Sequence, residues 1–223
     1  MIRKGRILNK PVRNIGMNSR SVTGKVPGFG IYESTLERDF MELLRFESYV
    51  ETFTAQPVTI EYRNSDGQVR SYTPDGLVQF KSIQGATKPP LLYEIKYLAD
   101  FRKDWRVLLP KFRAAKSFAH SNHWTFEVFT ESHIRGVYFR NIKFLWPYKQ
   151  LDIDDSRIHL VLDRLADLQE TDVSLLLCTL SHDKIKHAQF IQVVWHLISN
   201  FRVGCDLNEP INMYTNIWSL EEV

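Results

Sequence analysis

The stretch LLYEIKYL at residues 91–98 constrains the fold of this chain more than any other. Leu91, Leu92, Tyr93, Ile95, Tyr97 and Leu98 set apolar or aromatic groups on both sides of an extended segment, the pattern of a covered central strand. Glu94 and Lys96 interrupt that pattern, and residues two apart in a strand project from the same side. Charges taken out of water are costly unless partners and hydrogen bonds compensate them. An edge strand with a wet face would hold the pair without further explanation. A covered strand requires neighbours that want a carboxylate and an ammonium.

One such neighbour is YTPDG at residues 72–76. Pro74 biases Thr73 to extended geometry and removes a ladder donor, so a strand breaks or bulges there. Asp75 then sits where adjacent strands diverge, and a hairpin connection brings it beside Glu94. Taken alone, PDG is also an ordinary turn. Two carboxylates meeting at such a point repel each other unless a cation intervenes. Hard oxygen ligands with room for water and phosphate suit Mg²⁺, with Mn²⁺ as a substitute. Lys96, beside them, can orient or deprotonate a water or stabilise developing negative charge. Glu37 is the third candidate carboxylate. Ser34-x-x-Glu37 fits a capping box, yet Glu37 also borders the apolar stripe of its helix.

The order of elements follows from periodicity. Residues 33–47 predict a helix with Leu36, Phe40, Leu43 and Leu44 on one face. PVTIEYR at 57–63 alternates as a strand, Asp66-Gly67 signals a hairpin, and QVRSYTPDGLVQF is the returning strand. The strand at 91–98 follows, then a helix over 104–120 with Asp104 as cap and Pro110 as a kink or a later start. A last strand spans 124–131. This α-β-β-β-α-β order implies a mixed α/β layer, and residues 134–148 bridge to a second unit. From about residue 151 three helical segments and two short strand candidates suggest a small winged-helix-like domain. His120-x-x-His123 lies near a helix end with no third ligand in evidence and reads as a loop or cap.

The net charge of +3 conceals an asymmetry. Residues 1–150 hold 24 Lys and Arg against 14 Asp and Glu, whereas residues 151–223 hold 5 against 12. The front of the chain suits a polyanion and the back does not. Residues 1–30 carry basic side chains, Arg13, Arg20 and Lys25 among them, and no acid, as expected of an arm that tracks phosphates or merely solubilises. Arg102, Lys103, Arg106, Lys111, Arg113 and Lys116 cluster around the helix after Lys96. They form either a solvated face or a phosphate-contacting one. Cys178 and Cys205 have no CxxC spacing, which argues for a reducing compartment and against a thiolate zinc site. No apolar run is long enough to span a bilayer.

The succession of helix Glu, hairpin, PDG, EIK strand, helix and strand resembles the PD-(D/E)xK nuclease superfamily. GKVPGFG, ESTLERDFMELLRFE, QPVTIEY, YTPDG and EIK together are similar to the TnsA-type endonuclease subunits of heteromeric bacterial transposases. That resemblance covers residues 13 to 145 and is looser beyond them. It implies a restriction-endonuclease-like mixed sheet core with flanking helices over residues 31–148. A basic arm at 1–30 precedes this core and a winged-helix-like domain at 149–223 follows it. It further implies Mg²⁺-dependent cutting of the 5′ (non-transferred) strands of double-stranded DNA at transposon ends. The partners implied are a DDE transposase, TnsB, and an ATPase regulator, TnsC, contacted through the C-terminal region. The setting implied is the bacterial cytoplasm and nucleoid, with no membrane. Glu37, Asp75, Glu94 and Lys96 fall on the family's active-site positions, the three carboxylates as metal ligands, and Arg13, Arg20, Lys25, Lys103 and Lys111 are candidate DNA contacts. PDG stands where PDF or PDY is commoner, which alters packing behind Asp75. A stand-alone restriction or repair nuclease and a non-catalytic DNA-bridging module are the alternatives.

Overall fold

The computed structural model describes residues 23–28, 30–83 and 85–220. Arg13 and Arg20 lie outside the described residues. The chain divides into two compact units, Met1–Ile134 and Arg135–Val223. The division falls ahead of the 148/149 boundary expected from sequence, so the bridging segment belongs to the second unit.

The first unit opens with a ribbon of β1 (Gly24–Val26) and β2 (Gly30–Tyr32). Lys25 is exposed on this ribbon. Helix α1 (Thr35–Phe46) follows, then β3 (Val50–Ala55), the hairpin β4 (Ile60–Arg63) and β5 (Val69–Tyr72), β6 (Gly76–Phe80) and β7 (Leu91–Ile95). Helix α2 (Leu98–Ser121), β8 (Thr125–Phe129) and the short α3 (Glu131–Ile134) complete it. The central sheet has the order β3-β6-β7-β8. Its β3–β6 and β6–β7 pairs are antiparallel and its β7–β8 pair is parallel, with α2 as the crossover.

Each face of this sheet has its own core. On one side Leu36, Phe40 and Leu44 of α1 pack with Val78, Tyr93, Ile95 and Ile134. On the other, Leu108, Phe112, Ala115 and Phe118 of α2 pack with Leu77, Leu92 and the hairpin residues Val58, Ile60 and Tyr72. The alternation of β7 therefore sends Tyr93 and Ile95 toward α1, and Leu92 and Glu94 toward α2.

Three sequence expectations change. The stretch expected as one returning strand is two: β5 pairs with β4, and β6 crosses into the central sheet between β3 and β7. Pro74 lies at the break, where it forfeits no ladder bond. Strand β3 was not foreseen, because its exposed Glu51 and Thr52 dilute the apolar signal of an edge strand. Helix α2 begins at Leu98 behind Tyr97, ahead of the expected cap at Asp104, and runs through Pro110. Gly76 has a steric reason: a Cβ there would overlap the Tyr93 ring lying across it. That overlap accounts for glycine as the third residue of PDG in this chain.

The second unit comprises α4 (Val137–Lys149), α5 (Asp155–Leu168), β9 (Glu170–Asp172), α6 (Val173–Leu180), α7 (Lys184–Ser199), β10 (Val203–Cys205) and β11 (Asn216–Ser219). Its strands form a small antiparallel sheet ordered β10-β11-β9. The buried Asn141 of α4 donates to the carbonyls of Leu207 and Glu209 and accepts from the Ile211 amide. Among the described residues no helix is long and apolar enough to cross a membrane.

Candidate active site

The last β6–β7 pair is Gly76 with Tyr93, so one step further along places Asp75 opposite Glu94. There the ladder has ended. The Ile95 amide is met by Asp75 itself, whose Oδ2 accepts its hydrogen at 2.7 Å. A side chain thus replaces the backbone partner that Pro74 and the departing chain do not supply. Asp75 Oδ1 makes no hydrogen bond among the described residues.

Glu94 is only 2% exposed, which makes its partners decisive. Tyr72, the last residue of β5, donates its hydroxyl to Oε2 at 2.7 Å. Lys111 of α2 lies 3.1 Å from Oε1, and Lys96 lies 3.5 Å from the same oxygen. The expected pairing of Glu94 with Lys96 on one side of the strand is present, and a second ammonium joins it.

Glu37 occupies the third position of α1. Ser34 caps the helix by accepting from the Glu37 amide, while the Ser34 hydroxyl and the Glu33 amide both donate to the Glu37 carboxylate. The capping box is made, and it uses both carboxylate oxygens. Glu37 nonetheless belongs to the same electrostatic neighbourhood as Asp75 and Lys96.

Burial raises the Asp75 carboxyl well above the ordinary carboxylate range, and the charges of Glu94 and then Glu37 push it further. Burial also raises Glu37, outweighing the donors of Glu33 and Ser34. For Lys96, burial disfavours the ammonium, but attraction to Glu94 and Asp75 outweighs it and the net shift is upward. Lys96 is therefore cationic at neutral pH, suited to orienting and stabilising anions rather than removing a proton. Burial, followed by the charge of Glu94, raises the Tyr72 phenol, so Tyr72 remains a donor.

A crowded carboxylate pair thus sits at the divergence of two strands, with two ammonium groups over one oxygen of Glu94. Among the described residues no three His, Cys, Asp or Glu side chains form a ready-made metal cage. The pair Asp75 and Glu94 still fits a hard divalent cation. Mg²⁺ uses one or two carboxylates and otherwise water and phosphate, and Asp75 keeps an oxygen without a hydrogen bond.

Residues 47–131 match the model of the TnsA-like endonuclease N-terminal domain, and residues 133–207 match that of the TnsA endonuclease C-terminal domain. The chain belongs to the TnsA endonuclease family. No match was found among curated proteins. The first TnsA match contains Asp75, Glu94, Lys96 and Lys111 and begins after Glu37. The mixed sheet and its flanking helices constitute a restriction-endonuclease-like core.

Two partners of Glu94, Tyr72 and Lys111, are not singled out as such by the sequence. Their addresses carried a signal. Tyr72 is the inward residue closing β5, and Lys111 lies three residues after Leu108 and four before Ala115, beside the buried stripe of α2. Lys111, expected from sequence as a DNA contact, has its ammonium turned inward to Glu94. Arg102, Arg106, Leu109, Arg113 and Lys116 recur at helical spacing on the exposed face of α2, with Trp105 beside them. Lys103 is exposed as well but lies off that stripe.

Proposed function

We propose that this protein hydrolyses phosphodiester bonds in the 5′ (non-transferred) strands of double-stranded DNA at transposon ends, with Mg²⁺ as cofactor. The observation that carries this reading is the juxtaposition of Asp75 and Glu94 across the end of the β6–β7 ladder, with Lys96 held cationic beside them. Asp75 and Glu94 would hold the cation, and Glu37 would support its outer waters from the cap of α1. When bound, the cation supplies an activated water and neutralises charge on the leaving oxygen. Lys96 orients the scissile phosphate and offsets the negative charge that grows on it as water oxygen joins phosphorus and the opposite P–O bond breaks. The Ile95 amide fixes Asp75 throughout, so the carboxylate does not depend on a flexible rotamer for its aim.

The exposed basic stripe of α2 supplies cations for backbone phosphates, which position DNA without reading its sequence. Site choice then belongs to a partner, in this reading a DDE transposase of the TnsB type. The second unit strings α5-β9-α6-α7-β10-β11 in the order of a winged helix and is acidic beyond residue 151. Those features support a protein-binding role, and its partner in this reading is the ATPase regulator TnsC. The test is strand-resolved cleavage of a transposon-end duplex in Mg²⁺, with and without the DDE transposase, comparing wild type with Asp75→Ala. Nicks at 5′ ends that require the partner and vanish in the variant are expected. Equal cutting by the variant would overturn the assignment of the site.

A further inference from the structure

We propose that Lys111 is a positioning residue of the active site, which together with Tyr72 clamps Glu94 and sets it as a cation ligand. The inference rests on the nuclease reading above and adds to it a second lysine, delivered from the crossover helix.

The geometry separates Lys111 from the basic residues around it in sequence. Arg113, two positions on, is rotated about 200° around the helix axis and faces outward. Lys111 points the other way. Its side chain is 16% exposed, against 34% for Lys96, and its ammonium is the nearer of the two to Glu94 Oε1. The same ammonium lies 4.6 Å from the centre of the Tyr72 ring and 5.1 Å from that of Phe112. These two aromatic faces stabilise a cation and leave it little freedom to swing outward.

Tyr72 completes the clamp from the opposite oxygen. Glu94 is thereby gripped at Oε1 by α2 and at Oε2 by β5, two elements that do not neighbour each other in sequence. A ligating carboxylate oriented by such outer partners loses affinity for its cation when they are removed. An ammonium already spent on a buried carboxylate, in contrast, releases no counterions from DNA. It adds nothing to the salt dependence of DNA binding.

The experiment uses the full chain. Calorimetric titration with Mn²⁺ is compared for wild type, Lys111→Met, Lys111→Arg, Tyr72→Phe and Asp75→Asn, and duplex binding is measured across a salt series. Lys111→Met is expected to weaken Mn²⁺ binding by about 10-fold or more, with Tyr72→Phe weakening it in the same sense. Lys111→Arg is expected to recover part of the loss, and the affinity and salt slope of Lys111→Met for DNA are expected to equal those of wild type. Should Lys111→Met fold poorly, Tyr72→Phe and Lys111→Arg carry the comparison. Unchanged or tighter Mn²⁺ binding in Lys111→Met overturns the inference. So does a salt slope reduced by about one, the mark of a phosphate contact. Binding lost in Asp75→Asn but intact in Lys111→Met and Tyr72→Phe overturns this inference alone. Failure of wild type to bind Mn²⁺ removes the nuclease reading and this inference together.

Discussion

The two faces of the central sheet are built from the same strand by opposite means. Toward α1, β7 presents Tyr93 and Ile95 to Leu36, Phe40 and Leu44, and the core there is held by apolar packing. Phe40 stacks edge-on to Tyr93, with ring centres 4.7 Å apart. Toward α2, β7 presents Leu92 and then Glu94, and the apolar core ends in a buried cluster of carboxylate, phenol and ammonium groups. The first face supplies rigidity. The second spends part of its burial on charge, and α1 approaches that charge only with the cap carrying Glu37.

This contrast can be broken from either side. Phe40→Ala opens a cavity on the apolar face and is expected to cost about 3–5 kcal/mol, measured by urea unfolding. A smaller loss would mean that the α1 face collapses around the gap. Gly76→Ala drives a methyl group into the Tyr93 ring and is expected to cost about 1–3 kcal/mol by the same measurement. No loss would show that the ring is free to leave.

Asp75→Asn should act in the opposite direction, stabilising the metal-free protein by about 0.5–2 kcal/mol as strained active sites do when relieved. The sign follows from linkage. A carboxyl whose folded-state pKa lies above its ordinary value of 3.8 subtracts stability once the pH exceeds that value. The gain in the variant is therefore absent well below pH 3.8, grows as pH rises, and is complete above the folded-state value. Melting temperatures of both proteins across that range test it, and a gain that shrinks with rising pH would contradict it. Ser34→Ala removes the cap that holds Glu37 and should cost about 1 kcal/mol. The smallest change in stability is expected where the chemistry changes most. Glu94→Leu combined with Lys111→Met replaces a buried ion pair by apolar groups and should leave stability within about 1 kcal/mol of wild type, or raise it, while abolishing cleavage. A large destabilisation would show that the polar cluster holds the α2 face together.

What was legible in the sequence followed from periodicity and from residues that violate it. The stripe of α1, the hairpin signal at Asp66-Gly67 and the covered strand at 91–98 each obey one period. Glu94 and Lys96 stood out by breaking one, and Asp75 by following Pro74 at a strand break. Strand β3 stayed hidden because an edge strand can be polar along most of its length, and the β5-to-β6 crossing because Pro74 marks a break without saying where the chain goes next. Lys111 was read as one of six basic residues on a helix, since composition does not tell which way a side chain points. Only the packing of α2 against β7 separates it from Arg113.

The grip of Asp75 on the Ile95 amide has a further consequence. It is a contact to the main-chain N–H, open to any residue but proline at position 95. The side chain there answers only to its neighbours on the α1 face, so position 95 can drift among apolar residues while the carboxylate keeps its address. Packing and chemistry meet in one residue and are inherited separately.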